Sequence, residues 1–157
     1  RSEVSSNLAR YDGIRYGNSR YSFGEEAKRR IMLGTYTLSA GYYDAFYKRA
    51  ERVRTLIVED FKRVFREVDL IAGPVSPSVA LSVGSSKNHP MFGEVSDALV
   101  EPSSIAGLPG ITVPCGFVEN LPVGLGITGP RLSEELILNV AYHYEQSTPW
   151  HKMKPKI

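Results

Sequence analysis

A few side chains in this sequence are of types and spacings that could do chemistry. Arg30 ends the run Glu25-Glu26-Ala27-Lys28-Arg29-Arg30 and carries a planar fork of donors that matches a carboxylate. The same spacing allows an ordinary solvated ion pair with Glu26, four residues earlier, and by spacing alone that pair is the simpler account. Asp97 could accept hydrogen bonds from a cationic amine, or cap a helix opening at Ala98-Leu99-Val100. Ser5 and Ser6 would need an adjacent base to act as nucleophiles; none is readable beside them, which favours a cap. His89 is a candidate base in a Ser- and Gly-rich loop, with no visible partner. Cys115 has no neighbouring base or cation to favour a thiolate and reads as a small buried apolar residue.

Several elements must position these groups. Phe23 to Ala40 reads as a helix after Gly24, with Glu25 and Glu26 in the first turn, where the helix dipole favours anions. Gly41 breaks it. A longer helix is expected over Tyr42 to Glu67, because Phe46, Ala50, Val53, Ile57, Phe61 and Val64 recur on one face. That face is expected in the core, at about 1.5–3 kcal/mol for each large side chain buried. Arg49, Arg52 and Lys62 lie off it, interleaved with acids, and suit a solvated face better than a nucleic-acid contact.

Val68 to Gly73 suits a short core strand ended by Gly-Pro. The corner Glu101 to Gly116, EPSSIAGLPGITVPCG, organises the C-terminal third of the chain. Ser103 and Ser104 sit where a short helix could be capped, Gly107 and Gly110 permit unusual backbone, and Ile111 to Val113 reads as a strand stopped by Pro114. Leu121 to Pro130 could pair with it as an antiparallel hairpin. Leu132 to Tyr144 reads as an amphipathic helix capped by Ser133, and the basic tail from Gln146 as loosely ordered.

Composition sets bounds on this. The 157 residues suffice for one core, and 42% hydrophobic with 23% charged residues is ordinary for a globular domain. A net charge of +2 is too small to argue for nucleic acid. One cysteine excludes an internal disulfide and any multi-cysteine metal site. No apolar run approaches the roughly 20 residues that span a bilayer. The chain opens on Arg1, inside what already reads as motif, so the expectation is a fragment of a longer protein.

AGLPGITVPCG followed by LPVGLGITGP resembles the C-terminal part of the amidase signature family. SSNLARYDGIRYG (Ser5 to Gly17), FGEEAKRRIMLGTYTLSAGYYDAFY (Phe23 to Tyr47) and ERVRTLI (Glu51 to Ile57) are similar to the A subunits of glutamyl-tRNA(Gln) amidotransferases within it. The resemblance covers nearly the whole chain. Two departures stand out. The link Asn18 to Ser22 is shorter than the family's, and Gly126 stands where the family has a polar residue, so a local contact is expected to be missing.

The resemblance implies an α/β fold, with residues 1–157 supplying the C-terminal part of a single amidase domain whose mixed sheet is flanked by helices. It implies that Arg30 holds the α-carboxylate of the amide donor and Asp97 its α-amino group. A site reading both ends of a free amino acid rejects peptides and simple amides, whose partners would stay unpaired. The family's catalytic serines and lysine belong to a Gly/Ser-rich stretch that these residues do not contain, so no catalytic residue is expected here and the stretch alone is expected to be inactive. The implied role is in the glutaminase subunit that supplies ammonia for ATP-dependent conversion of Glu-tRNA(Gln) to Gln-tRNA(Gln). Its implied partners are the B and C subunits, with ATP and Mg used by the partner subunit, no cofactor in this chain, and a cytoplasmic setting. Two other functions remain open: an amidase-signature hydrolase of a different amide, and a non-catalytic subunit-binding module.

Overall fold

A computed structural model describes residues 2–85 and 95–154. The chain forms two compact units, Arg1–Arg54 and Thr55–Ile157.

In the first unit, α1 (Ser2–Leu8) packs on α2 (Glu25–Leu38). Helix α2 starts after Gly24, as its sequence predicts, and ends where Ser39 turns extended; Gly41 follows at φ +85°. The connection between the two helices folds tightly on itself. Asp12 accepts hydrogen bonds from the backbone N–H groups of Ile14 and Arg15 at 2.8 and 2.9 Å, an Asx-type turn. Gly13 and Gly17 both have positive φ; a Cβ on Gly13 would lie 2.9 Å from the Ser19 nitrogen, and one on Gly17 2.7 Å from the Tyr11 ring. Tyr11 meets Phe23 edge-on at 6.3 Å. The short link after Gly17 is therefore a closed turn.

The helix expected over Tyr42 to Glu67 is divided. A π-helical turn, Tyr43–Lys48, leads into α3 (Arg49–Val64), which contains the boundary between the units. Its apolar face is not in a core: Phe46, Val53 and Val64 are exposed, and among the described residues α3 has no buried side chain. Periodicity identified the helix correctly, but periodicity says nothing about what covers a face.

The second unit is a three-stranded antiparallel sheet of order β1-β3-β2, formed by β1 (Ile71–Pro74), β2 (Gly110–Val118) and β3 (Leu121–Thr128). The expected hairpin is there, with Ile111 opposite Ile127 and Val118 opposite Leu121. Its two-residue turn places Glu119 and Asn120 at φ 51° and 64°, the pairing that suits strand twist. Pro114 does not stop β2. The strand runs through it opposite Gly124, with a bulge between Pro114 and Gly116. Among the described residues β2 is an edge strand, where a missing N–H interrupts no second ladder.

Helix α4 (Glu101–Ala106) precedes the hairpin and ends at Gly107 in the left-handed region, φ 70°. Ser103 and Ser104 lie inside it, their hydroxyls donating to the Val100 carbonyl at 2.9 and 3.1 Å. Helix α5 (Glu134–Ser147) covers β2 and β3. Ser133 occupies its N-cap position, yet its hydroxyl donates to the Pro130 carbonyl at 2.7 Å rather than serving the helix. Val113, Ile127 and Ala141 form the buried core with Leu70, Ile111, Leu125 and Tyr144 against it. The chain after α5 is tied down as far as Trp150–Lys152, a 3-10 turn on β2 whose Trp150 ring meets Phe117 at 6.3 Å.

Candidate functional site

Arg30 lies in the second turn of α2, one helical turn after Glu26. Its Nε–H donates to Glu26 Oε1 at 2.7 Å. Arg29 takes the same carboxylate in the fork arrangement, Nε to Oε2 at 2.8 Å and Nη2 to Oε1 at 2.9 Å. Hydrogen bonds from Arg29 and then Arg30 hold the Glu26 carboxyl down to about 2. The cluster faces solvent, with the side chains of Arg30 and Glu26 45% and 54% exposed. The pair with Glu26 is thus present, as spacing predicts. Arg29 is also at the surface, its side chain 42% exposed, and its forked grip on the shared acid is the feature that spacing did not reveal.

Asp97 belongs to the second unit, in the turn before α4. The helix opens at Glu101 rather than at Ala98, with Val100 at its N-cap position, so Asp97 is not its cap; the Asp97 carbonyl accepts from the N–H groups of Val100 and Glu101 at 3.0 and 2.8 Å, and its side chain is exposed. Arg30 and Asp97 therefore fall in different units. His89 lies outside the described residues.

The two serines are not a helix cap. Ser5 is within α1 and buried, and its hydroxyl is 2.7 Å from that of Thr35 on α2. Thr35 gives its own proton to the Ile31 carbonyl at 2.9 Å, so Ser5 is the donor. That bond ties two helices together and explains why a serine is buried here without any base. Ser6 lines an open cleft of about 470 Å³ with Glu3, Asn7, Leu38, Tyr43 and Tyr47. The charge of Glu51, then burial, then Glu3 push the Tyr47 hydroxyl up and keep it a donor. Nothing in the sequence pattern marks this cleft, because its lining comes from α1, the end of α2 and the π-helical turn.

In the second unit, Cys115 is half-buried and its thiol donates to the Val123 carbonyl at 3.5 Å, a packing role. Gly126 is crowded: a Cβ there would lie 2.6 Å from Val75 Cγ1. Val75 occupies the space into which a side chain at 126 would project. A wider cavity of about 710 Å³ runs beside the hairpin turn, lined by Ser76, Ser78, Ser96 and Glu119 among apolar residues. Among the described residues no group of three or more His, Cys, Asp or Glu side chains is placed to hold a metal ion. No described helix is long and apolar enough to cross a membrane.

Residues 2–138 match the family model described as Amidase. The chain is 52% identical to the A subunit of glutamyl-tRNA(Gln) amidotransferase from Streptococcus pneumoniae (strain Hungary19A-6), over 99% of this chain and 35% of that protein. The aligned stretch, 171 residues, is longer than this chain, so the relative carries residues that this one lacks. The crystal structure of the A subunit of glutamyl-tRNA(Gln) amidotransferase from Thermotoga maritima matches with TM-score 0.68 and 37% identity, over 96% of this chain and 32% of that one. A bacterial aryl acylamidase of the amidase signature enzymes matches in fold, with TM-score 0.70 at 19% identity over 95% of this chain and 32% of that one. The chain thus spans about a third of the length of the curated relatives it matches. Since the family match runs from α1 through the hairpin and into α5, the chain belongs to the amidase family.

Proposed function

We propose that residues 1–157 are the C-terminal part of the single amidase domain of a glutamyl-tRNA(Gln) amidotransferase A subunit. The observation that carries this is the 52% identity sustained across 99% of the chain. In this function the whole subunit hydrolyses glutamine in the cytoplasm and hands ammonia to partner subunits B and C. There ATP and Mg drive amidation of Glu-tRNA(Gln). The stretch contributes recognition and core; the nucleophile and base come from outside it, and alone it turns over no glutamine.

Arg30 takes the α-carboxylate of glutamine through its planar fork, and Asp97 takes the α-ammonium. An amino acid offering both ends satisfies both partners, whereas a simple amide offers neither a carboxylate nor an ammonium to them. Calorimetry of glutamine binding to the complete subunit tests this. Arg30→Ala and Asp97→Ala are each expected to weaken binding by tenfold or more. Full affinity in both would assign the pair to the surface. Turnover by the isolated stretch would place catalytic groups inside it.

A second possibility is an amidase acting on a different amide. Wild-type-like glutamine turnover in Arg30→Ala would raise it above the first.

A further inference from the structure

The acid between the two arginines has no part in the function proposed so far. Glu26 accepts from Arg29 through both of its oxygens and from Arg30 through Oε1 alone. These contacts divide the labour. The forked pair with Arg29 fixes the carboxylate in two directions, and the bond from Arg30 Nε ties the stem side of the Arg30 guanidinium to that fixed acceptor. Nε–H is one of the five donors of that group. Glu26 therefore holds Arg30 from the stem side. The three groups together carry one net positive charge, so the cluster still attracts an anion.

We infer that Glu26 is a positioning residue: anchored by Arg29, it holds the Arg30 guanidinium in the orientation that receives the α-carboxylate of the amino-acid substrate. This rests on the assignment of Arg30 to that carboxylate. A long side chain left to wander must be ordered each time substrate binds, and that ordering weakens binding. Held in advance by Glu26, Arg30 has already met it. The competing possibility is that Glu26 occupies Arg30 and must yield it to substrate, and it predicts the opposite sign.

Steady-state glutamine hydrolysis by the complete amidotransferase separates these. Arg30→Ala is expected to raise KM by tenfold or more. Glu26→Ala should raise KM by about threefold to tenfold with kcat held, because the lost interaction serves ground state and transition state alike. Glu26→Gln keeps an oxygen for Arg30 Nε–H but loses the second acceptor that Arg29 Nε uses, so its KM should lie between those of the parent and Glu26→Ala. Glu25→Ala removes the neighbouring acid, which pairs with Lys28 at 3.1 Å, and should move neither constant. A KM unchanged in Glu26→Ala while Arg30→Ala raises it overturns the positioning role alone, as does a KM that falls. An equal rise in Glu25→Ala overturns it too, showing a general loss of negative charge. Unchanged KM in Arg30→Ala overturns instead the assignment on which it rests.

Discussion

The helices around Arg30 and the sheet around Ile127 are held by different forces. In the first unit Ser5 and Gly34 are the buried positions among the described residues, and the contacts are the Ser5–Thr35 bond, ring pairs, exposed ion pairs within helices, an Asx turn and glycines with positive φ. In the second, Val113, Ile127, Ile137 and Ala141 are 3–4% exposed and pack between hairpin and helix. Burial is worth far more per side chain than a solvated ion pair. The surface of α2 can therefore be rewritten for chemistry at little cost to folding, while the hairpin carries structure and tolerates little.

The sharpest way to break this contrast is to truncate one apolar residue from each side. Ile127→Ala should cost about 2–5 kcal/mol in urea unfolding of this chain, from lost transfer energy and the cavity left. Val53→Ala, on the α3 face within the first unit and 48% exposed, should cost less than about 0.5 kcal/mol. Equal costs would mean that the α3 face is as well covered as the core.

A smaller effect is expected in the turn after α1. Gly17→Ala must take φ +58° and meet the Tyr11 ring at 2.7 Å, so it should destabilise by about 1–3 kcal/mol in thermal unfolding. A neutral outcome would make the shortened link a loose tether rather than a built turn.

The smallest effect concerns the ion pairs. Glu26 titrates near 2 in the folded chain against 4.5 ordinarily, so its contribution is complete above pH 4.5. It is lost as pH falls from 4.5 through about 2, since protonation then favours the unfolded state. Carboxyl NMR titration of Glu26 should show the low midpoint, and Arg29→Ala should raise it. An ordinary midpoint would leave α2 without the ordered cluster.

Much of the frame was legible. Helix α2 followed from Gly24, its acidic first turn and the break at Gly41; the hairpin followed from two β-rich runs around a short connection. These signals are local, and local propensity agrees with the fold there. Three misreadings needed a neighbour that local pattern does not reveal. Pro114 passes through β2 because that strand lies at the sheet edge. Ser5 is buried because Thr35 is opposite. The tail is ordered to Trp150 because Phe117 receives the ring. Of the candidate site, the Glu26–Arg30 pair was readable at helical spacing, whereas the forked grip of Arg29 depends on side-chain rotamers that spacing leaves open.

The helix and strand segments were legible in the sequence through residue order and short-range periodicity, and the amidase family and the candidacy of Arg30 and Asp97 through the resemblance its motifs carry. The antiparallel order β1-β3-β2, the core around Ile127, the exposed face of α3 and the filling of the Gly126 position by Val75 were decided only in three dimensions. The reason is physical: a helix or strand forms from near neighbours, but burial and space-filling depend on atoms that the chain brings back from far along its length.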